Sequence, residues 1–297
     1  MKIKVLKYII FLSATLLITL SCSEGNATDH TVYGMGNDTN VVIRTDNELG
    51  GENVETDTLQ TAPNEDKNES IPTGARRLLD AYPKAITEFK DNKLVFADGT
   101  TLVYDDGKKK DFVTMLDNSD PEDMFSIPYN KGGGTPGYLE DCGRSRSDAL
   151  FKKLYGATSA QVQKQMVSVP WFGGNIRFSG SHGAAEQLRK VKAELDRKPH
   201  LQQFVKGAQT FNWRPVRGAK RMSAHSYGIA VDVGVSKSNY WQWDNRGANE
   251  LKKIGYKNRI PMELVEIFEH HGFIWGGRWY HYDTMHFEYR PELNPPK

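Results

Sequence analysis

Two stretches of this 297-residue chain carry residue types suited to hydrolysis. Residues 223–232 read Ser-Ala-His-Ser-Tyr-Gly-Ile-Ala-Val-Asp, and residues 281–289 read His-Tyr-Asp-Thr-Met-His-Phe-Glu-Tyr. A hydrolytic zinc site needs three protein ligands, a position left for water, and a nearby carboxylate that is not itself a ligand. His225, Asp232 and His286 supply two imidazoles and one carboxylate, and Asp283 would be the free carboxylate. Zinc lowers the pKa of water from about 16 to about 7. Asp283 would take that water's proton and deliver it to the departing amine.

The spacing sets conditions on the backbone. His225 and Asp232 are seven residues apart, so an unbroken strand would put them on opposite faces. Convergence requires a bend, which Gly228 permits. Beyond the bend, Ile229, Val231, Val233 and Val235 share one strand face and read as core. Ala230, Asp232 and Gly234 share the other, leaving open space over the carboxylate. An Asp among alternating valines is costly to bury without a cation or hydrogen bonds. In the second stretch Met285, Phe287 and Tyr289 form an apolar face and His286 and Glu288 point the other way, with Asp283 just before the strand. Each residue also has a plainer reading: a hydrogen-bonded core histidine, or a buried ion-pair partner. Glu288 could orient a ligand, or close a purely structural metal site as a fourth ligand. His281 could contact substrate or brace a ligand. His270 and His271 suit the negative end of a helix.

The elements that must position these residues follow from periodicity. Residues 78–89 have helical spacing. Leu94–Phe96 and Leu102–Tyr104 flank Asp98-Gly99 as a hairpin, and Asp106-Gly107 marks a further turn. Residues 166–169 read as a strand leading into Pro170-Trp171. Ala184, Leu188, Val191 and Leu195 share one face of a helix over 184–198. A strand is expected over 229–235, a helix over 261–271 stopped by Gly272, and a last strand over 285–289. Helices beside short, non-consecutive strands indicate an α+β fold.

The bulk figures narrow the classes. A net charge of +2 gives no strong pull toward nucleic acid. Two cysteines, Cys22 and Cys142, exclude a disulfide framework and a Cys-rich zinc site, so any metal falls to His and carboxylates. Cys142 reads as a small buried residue. Residues 1–21 read as an export signal: Lys2, Lys4 and Lys7 precede an apolar run too short for a spanning helix. Thr19-Leu20-Ser21-Cys22 resembles a bacterial lipobox, with Thr19 where leucine is usual. Lipidation of Cys22 would anchor the protein to a membrane of the cell envelope, facing the periplasm or the cell surface. Residues 22–72, rich in Asn, Asp, Glu, Thr and Gly, read as a disordered linker with a reach on the order of 40 Å. A small α+β accessory segment over 73–130 and a catalytic domain over 131–297 complete the expected organisation.

His-x-x-Gly-x-Ala-x-Asp over 225–232, followed by Asp-x-x-His over 283–286, resembles the zinc peptidases that include VanY-like D-alanyl-D-alanine carboxypeptidases and L-alanyl-D-glutamate endopeptidases. Gly-Phe-Ile-Trp-Gly-Gly over 272–277 resembles the endopeptidase branch. The resemblance covers roughly 166–293. It implies a hedgehog-type fold with a small antiparallel sheet and flanking helices, zinc on His225, Asp232 and His286, and catalysis by Asp283. Carboxypeptidase members usually carry Glu at that place, so Asp283 leans toward an endopeptidase acting on peptidoglycan stem peptides. The family also places an arginine upstream of the first ligand to support the substrate carbonyl. Arg214 in Asn-Trp-Arg-Pro is the best match, and Arg217 and Arg221 compete for the role. The alternatives are a D-alanyl-D-alanine carboxypeptidase and a non-catalytic zinc-containing wall-binding protein. A monomer is expected.

Overall fold

The computed structural model describes residues 70–297. The expected signal peptide, Cys22 and nearly all of the linker lie outside the described residues.

The first helix, α1 (Thr73–Ala81), buries Gly74, Ala75 and Leu78. It ends well short of the 78–89 helix expected from spacing. Pro83 disfavours helical backbone at Tyr82, so the chain leaves the helix there. It then forms a meander of β1 (Ile86–Lys90), β2 (Lys93–Phe96) and β3 (Thr101–Val103). The second hairpin is the expected one: Leu94 pairs with Leu102, and Gly99 takes the left-handed conformation at the turn (φ 78°). A short helix, α2 (Phe112–Asp117), is capped by the Asp111 carboxylate, which accepts from Thr114 N at 2.7 Å.

Next come α3 (Asp148–Tyr155), capped by Ser147, and α4 (Ser159–Gln165), capped by Thr158. The strand expected at 166–169 runs on as β4 (Met166–Trp171) and pairs antiparallel with β5 (Gly174–Ser179), which periodicity did not reveal. After α5 (Ala184–Asp196) and a single turn α6 (Gln202–Val205) come β6 (Ala230–Asp232), α7 (Trp241–Asp244), α8 (Met262–His270), β7 (Phe273–Trp275) and β8 (His286–Tyr289). The last three strands form one antiparallel sheet in the order β6-β8-β7. With its helices and separate small antiparallel sheets, the described chain is α+β.

One hydrophobic cluster joins these parts. Leu188, Val191 and Leu195 of α5, Leu264, Val265 and Phe268 of α8, and Phe273 and Phe287 of the sheet are all fully buried. The Phe268 and Phe287 rings stack at 4.1 Å. Each such side chain contributes about 1.5–3 kcal/mol by leaving water. Leu78, Tyr82 and Leu94 from the 73–130 segment belong to the same cluster, so this segment shares the core. The 229–235 strand is shorter than expected. Ile229, Val231 and Val233 are buried as predicted, but Val235 is 36% exposed. Gly234 (φ 58°) turns the chain out of the sheet before it. Among the described residues, no helix is long and apolar enough to cross a membrane.

Candidate metal centre and active-site cleft

Strand register brings the first two site residues together. Asp232 on β6 sits directly opposite His286 on β8, and directly paired residues project to the same side of a sheet. His225 arrives from a 3-10 turn over Ala224–Tyr227, where Ser223 accepts from the His225 backbone N–H. The turn ends at Gly228, which takes φ 67° and supplies the required bend. His286 Nδ1 lies 2.9 Å from Asp232 Oδ1, His225 Nε2 lies 3.2 Å from the same oxygen, and the two ring nitrogens are 3.2 Å apart.

These distances suit a metal. Zinc bonds of about 2.0–2.1 Å in a tetrahedron separate ligand atoms by about 3.3 Å. The rings are also held from behind. His225 Nδ1 donates to the carbonyl of Thr210, and His286 Nε2 lies 3.0 Å from Glu288 Oε1. Each outer partner fixes the tautomer that turns a lone pair toward Asp232. Three acceptor atoms then face one another, an arrangement that only a cation or added protons can satisfy. Protons show the same demand. Burial disfavours charge on His286, but Asp232 and Glu288 outweigh it and push its pKa up to about 10. Burial likewise opposes ionisation of Asp232, yet His225 and His286 hold it far below the usual carboxylate range. The donor set therefore fits a zinc ion.

Glu288 lies behind the His286 ring, away from the three convergent atoms. Arg146 holds its Oε1 at 2.8 Å and Arg290 its Oε2 at 3.1 Å. A fourth-ligand role for Glu288 is thus replaced by that of a buried anion orienting His286. A second acidic group, Asp106, Asp120 and Asp123, already surrounds a cation, the Lys110 ammonium.

All four residues line a cleft of about 610 Å³. Asp283 is held by its backbone, which donates to Gly276 O at 2.9 Å and accepts from His286 N at 3.1 Å. Its Oδ1 is buried without a hydrogen-bond partner. Burial, and next the negative charge of Asp232, push its pKa up to about 7. A cation at the triad would pull in the opposite direction.

The three arginines considered from sequence separate clearly. Arg221 is buried and ion-paired to Asp117 at 2.7 Å. Arg214 and Arg217 are exposed on the cleft lining, and among the described residues neither is ion-paired with a carboxylate. His281 is a wall residue: Asp141 accepts from its backbone N–H at 2.9 Å and meets Nδ1 at 2.5 Å. Trp241 packs on the ring at 4.6 Å. Trp241, Trp243 and Trp279 line the cleft, and Trp275 is buried in the core. His271 pairs with Glu194, and Cys142 is buried.

Sequence reading missed Asp141, Arg144, Arg146 and Glu250. Arg144 bridges Asp141 and Glu250 at 2.9 Å each, behind His281. Arg146 reaches Glu288 across 142 residues of sequence. Arg-Ser-Arg over 144–146 was the only local signal, and nothing in it pointed to partners so far along the chain.

No curated protein and no solved structure matches the chain. A family model described as D-alanyl-D-alanine carboxypeptidase matches residues 217–289. Over the segment that holds His225, Asp232, Asp283 and His286, the chain is similar to the D-alanyl-D-alanine carboxypeptidase family of zinc peptidases.

Proposed function

We propose that this protein is a zinc-dependent peptidase that hydrolyses an amide bond in the stem peptide of peptidoglycan, with endopeptidase cleavage of the L-alanyl-D-glutamate type. The observation that carries the reading is the convergence of three acceptor atoms at 2.9–3.2 Å beside an uncommitted carboxyl oxygen of Asp283 in the same cleft. A structural metal site has no use for that carboxyl.

His225, Asp232 and His286 would hold the zinc, which supplies a Lewis acid and makes water acidic enough to attack at neutral pH. Asp283 accepts the proton of the attacking water and passes it to the leaving amine, a role worth about 10²–10⁴-fold in rate. Arg214 lines the same cleft without an anionic partner and supports negative charge developing on the substrate carbonyl oxygen. Arg217 is placed to share that role. Glu288 and the Thr210 carbonyl keep the two imidazoles in register throughout.

A hedgehog-type arrangement of the catalytic domain belongs to this reading. So do a lipid anchor on Cys22, a position in the cell envelope and a monomeric state. The rival is a carboxypeptidase that removes only the terminal D-alanine, favoured by the description of the matching family model. Purified muropeptides digested with zinc-loaded protein and analysed by mass spectrometry test both. Larger fragments support the endopeptidase, and free D-alanine alone supports the carboxypeptidase. Intact stem peptides, with Asp283→Ala indistinguishable from wild type, would overturn the peptidase reading.

A further inference from the structure

A second hollow, of about 470 Å³, opens beside the cleft and shares Arg217 and Trp243 with it. Gln242, Asn245, Arg246, Gly247 and Ala248 complete its lining. Trp243 is 51% exposed. Its indole is braced edge-on by Tyr240 at 5.4 Å, so it stands as a fixed platform. Arg246 sits in a tight turn closed by Ala248 N donating to Asn245 O at 3.0 Å. Among the described residues, neither Arg217 nor Arg246 is ion-paired with a carboxylate, and both are exposed. The Asn245 amide already donates to Trp241 O at 3.0 Å, so two guanidinium groups, the Gln242 amide and an indole remain around the hollow, a set suited to a carboxylate on a partly apolar ligand.

We infer that this hollow is an extension of the substrate site that binds a free carboxylate on the peptide, away from the bond being cut. The inference rests on the stem-peptide reading above. Stem peptides bearing a free side carboxylate would then be preferred to the same peptides with a carboxamide there. Arg246 would engage the anion, and Trp243 would cover the adjoining aliphatic part of the chain. A charge-assisted hydrogen bond to an arginine contributes about 1.5 kcal/mol or more, which corresponds to about tenfold in affinity.

Two synthetic stem peptides that differ only in carboxylate against carboxamide at one side position test this. Calorimetric binding to zinc-loaded protein carrying Asp283→Ala keeps the peptides intact, and turnover by the otherwise wild-type protein is followed in parallel. Binding of the free acid about tenfold tighter is expected. Arg246→Gln should abolish that preference while binding the carboxamide as before, and Trp243→Ala should weaken both peptides. Equal binding of the two peptides, or an equal loss on both in Arg246→Gln, would overturn the inference. If the preference appears in binding but neither peptide is cleaved, the hollow stands and the hydrolase reading fails.

Discussion

Replacing Glu288 by glutamine should weaken zinc binding through a residue that does not touch the metal. Glu288 is 1% exposed, and its Oε1 meets His286 Nε2 at 3.0 Å while Arg146 and Arg290 hold the carboxylate at 2.8 and 3.1 Å. The carboxylate fixes His286 with its proton on Nε2 and its lone pair on Nδ1, and it makes that lone pair more basic. Glutamine keeps the shape but removes the charge, and its NH₂ group must face either an arginine or the ring N–H. Losing such an outer partner costs about 10–100-fold in metal affinity, or about 1.4–2.7 kcal/mol. Complete burial places the expected loss toward the upper end. A separate cost arises because Arg146 and Arg290 lose their shared anion. Breaking buried pairs costs about 3–5 kcal/mol, and the Glu292 partner that Arg290 retains softens this toward the lower figure. Competition against a zinc chelator gives the affinity, and urea denaturation of the metal-free chain gives the stability. If Glu288→Gln remains folded and binds zinc within twofold of wild type, the orienting role of Glu288 is refuted.

Three further outcomes are expected. Gly276→Ala should lower turnover about 100-fold with zinc binding retained, because a methyl group there would lie 2.5 Å from Asp283 O; displacing a catalytic group by about 1 Å costs that much. Unchanged turnover in a steady-state assay would contradict it. The metal-free protein should lose stability in acid below about pH 4. Burial pushes Asp141 and Glu288 up, but Arg144 outweighs it at Asp141 and Arg146 at Glu288, and both carboxyls end below their usual range. Depressed native pKa values give stability that is complete above the unfolded values and is lost as pH falls toward the native ones; urea midpoints that stay level down to pH 3 would count against this. Asp232→Ala should leave two facing imidazoles without their shared carboxylate, so zinc binding should fall below detection in the same chelator assay, while retained tight binding would place the ion elsewhere.

The core of the site was legible because strand alternation is local. Asp232 opposite a valine face, His286 opposite Met285 and Phe287, and Gly228 between His225 and Asp232 each leave a mark within a few residues. Cross-strand register, which pairs Asp232 with His286, then follows from burying both apolar faces in one sheet. The supporting charges were illegible for the converse reason. Arg146 finds Glu288, and Asp141 finds His281, only after the chain has closed over about 140 residues, and no periodicity records such a pairing. The 78–89 helix failed on one residue, Pro83, whose effect on its neighbour outweighed a favourable apolar spacing. Hairpin β4–β5 escaped notice because Gly174, Asn175 and Arg177 are exposed on a two-stranded edge and show little alternation.

The most direct test of the account is titration of zinc into the metal-free protein, followed by calorimetry with proton release measured in buffers of different ionisation enthalpy. The Asp232 and Glu288 carboxylates beside His286 outweigh its burial and favour its protonated form when no metal is bound, so uptake of a single equivalent of zinc at neutral pH should expel protons from the triad, and His286→Ala should abolish both uptake and release. Zinc binding without proton release, or tight binding that survives His286→Ala, would contradict a metal centre built from His225, Asp232 and His286.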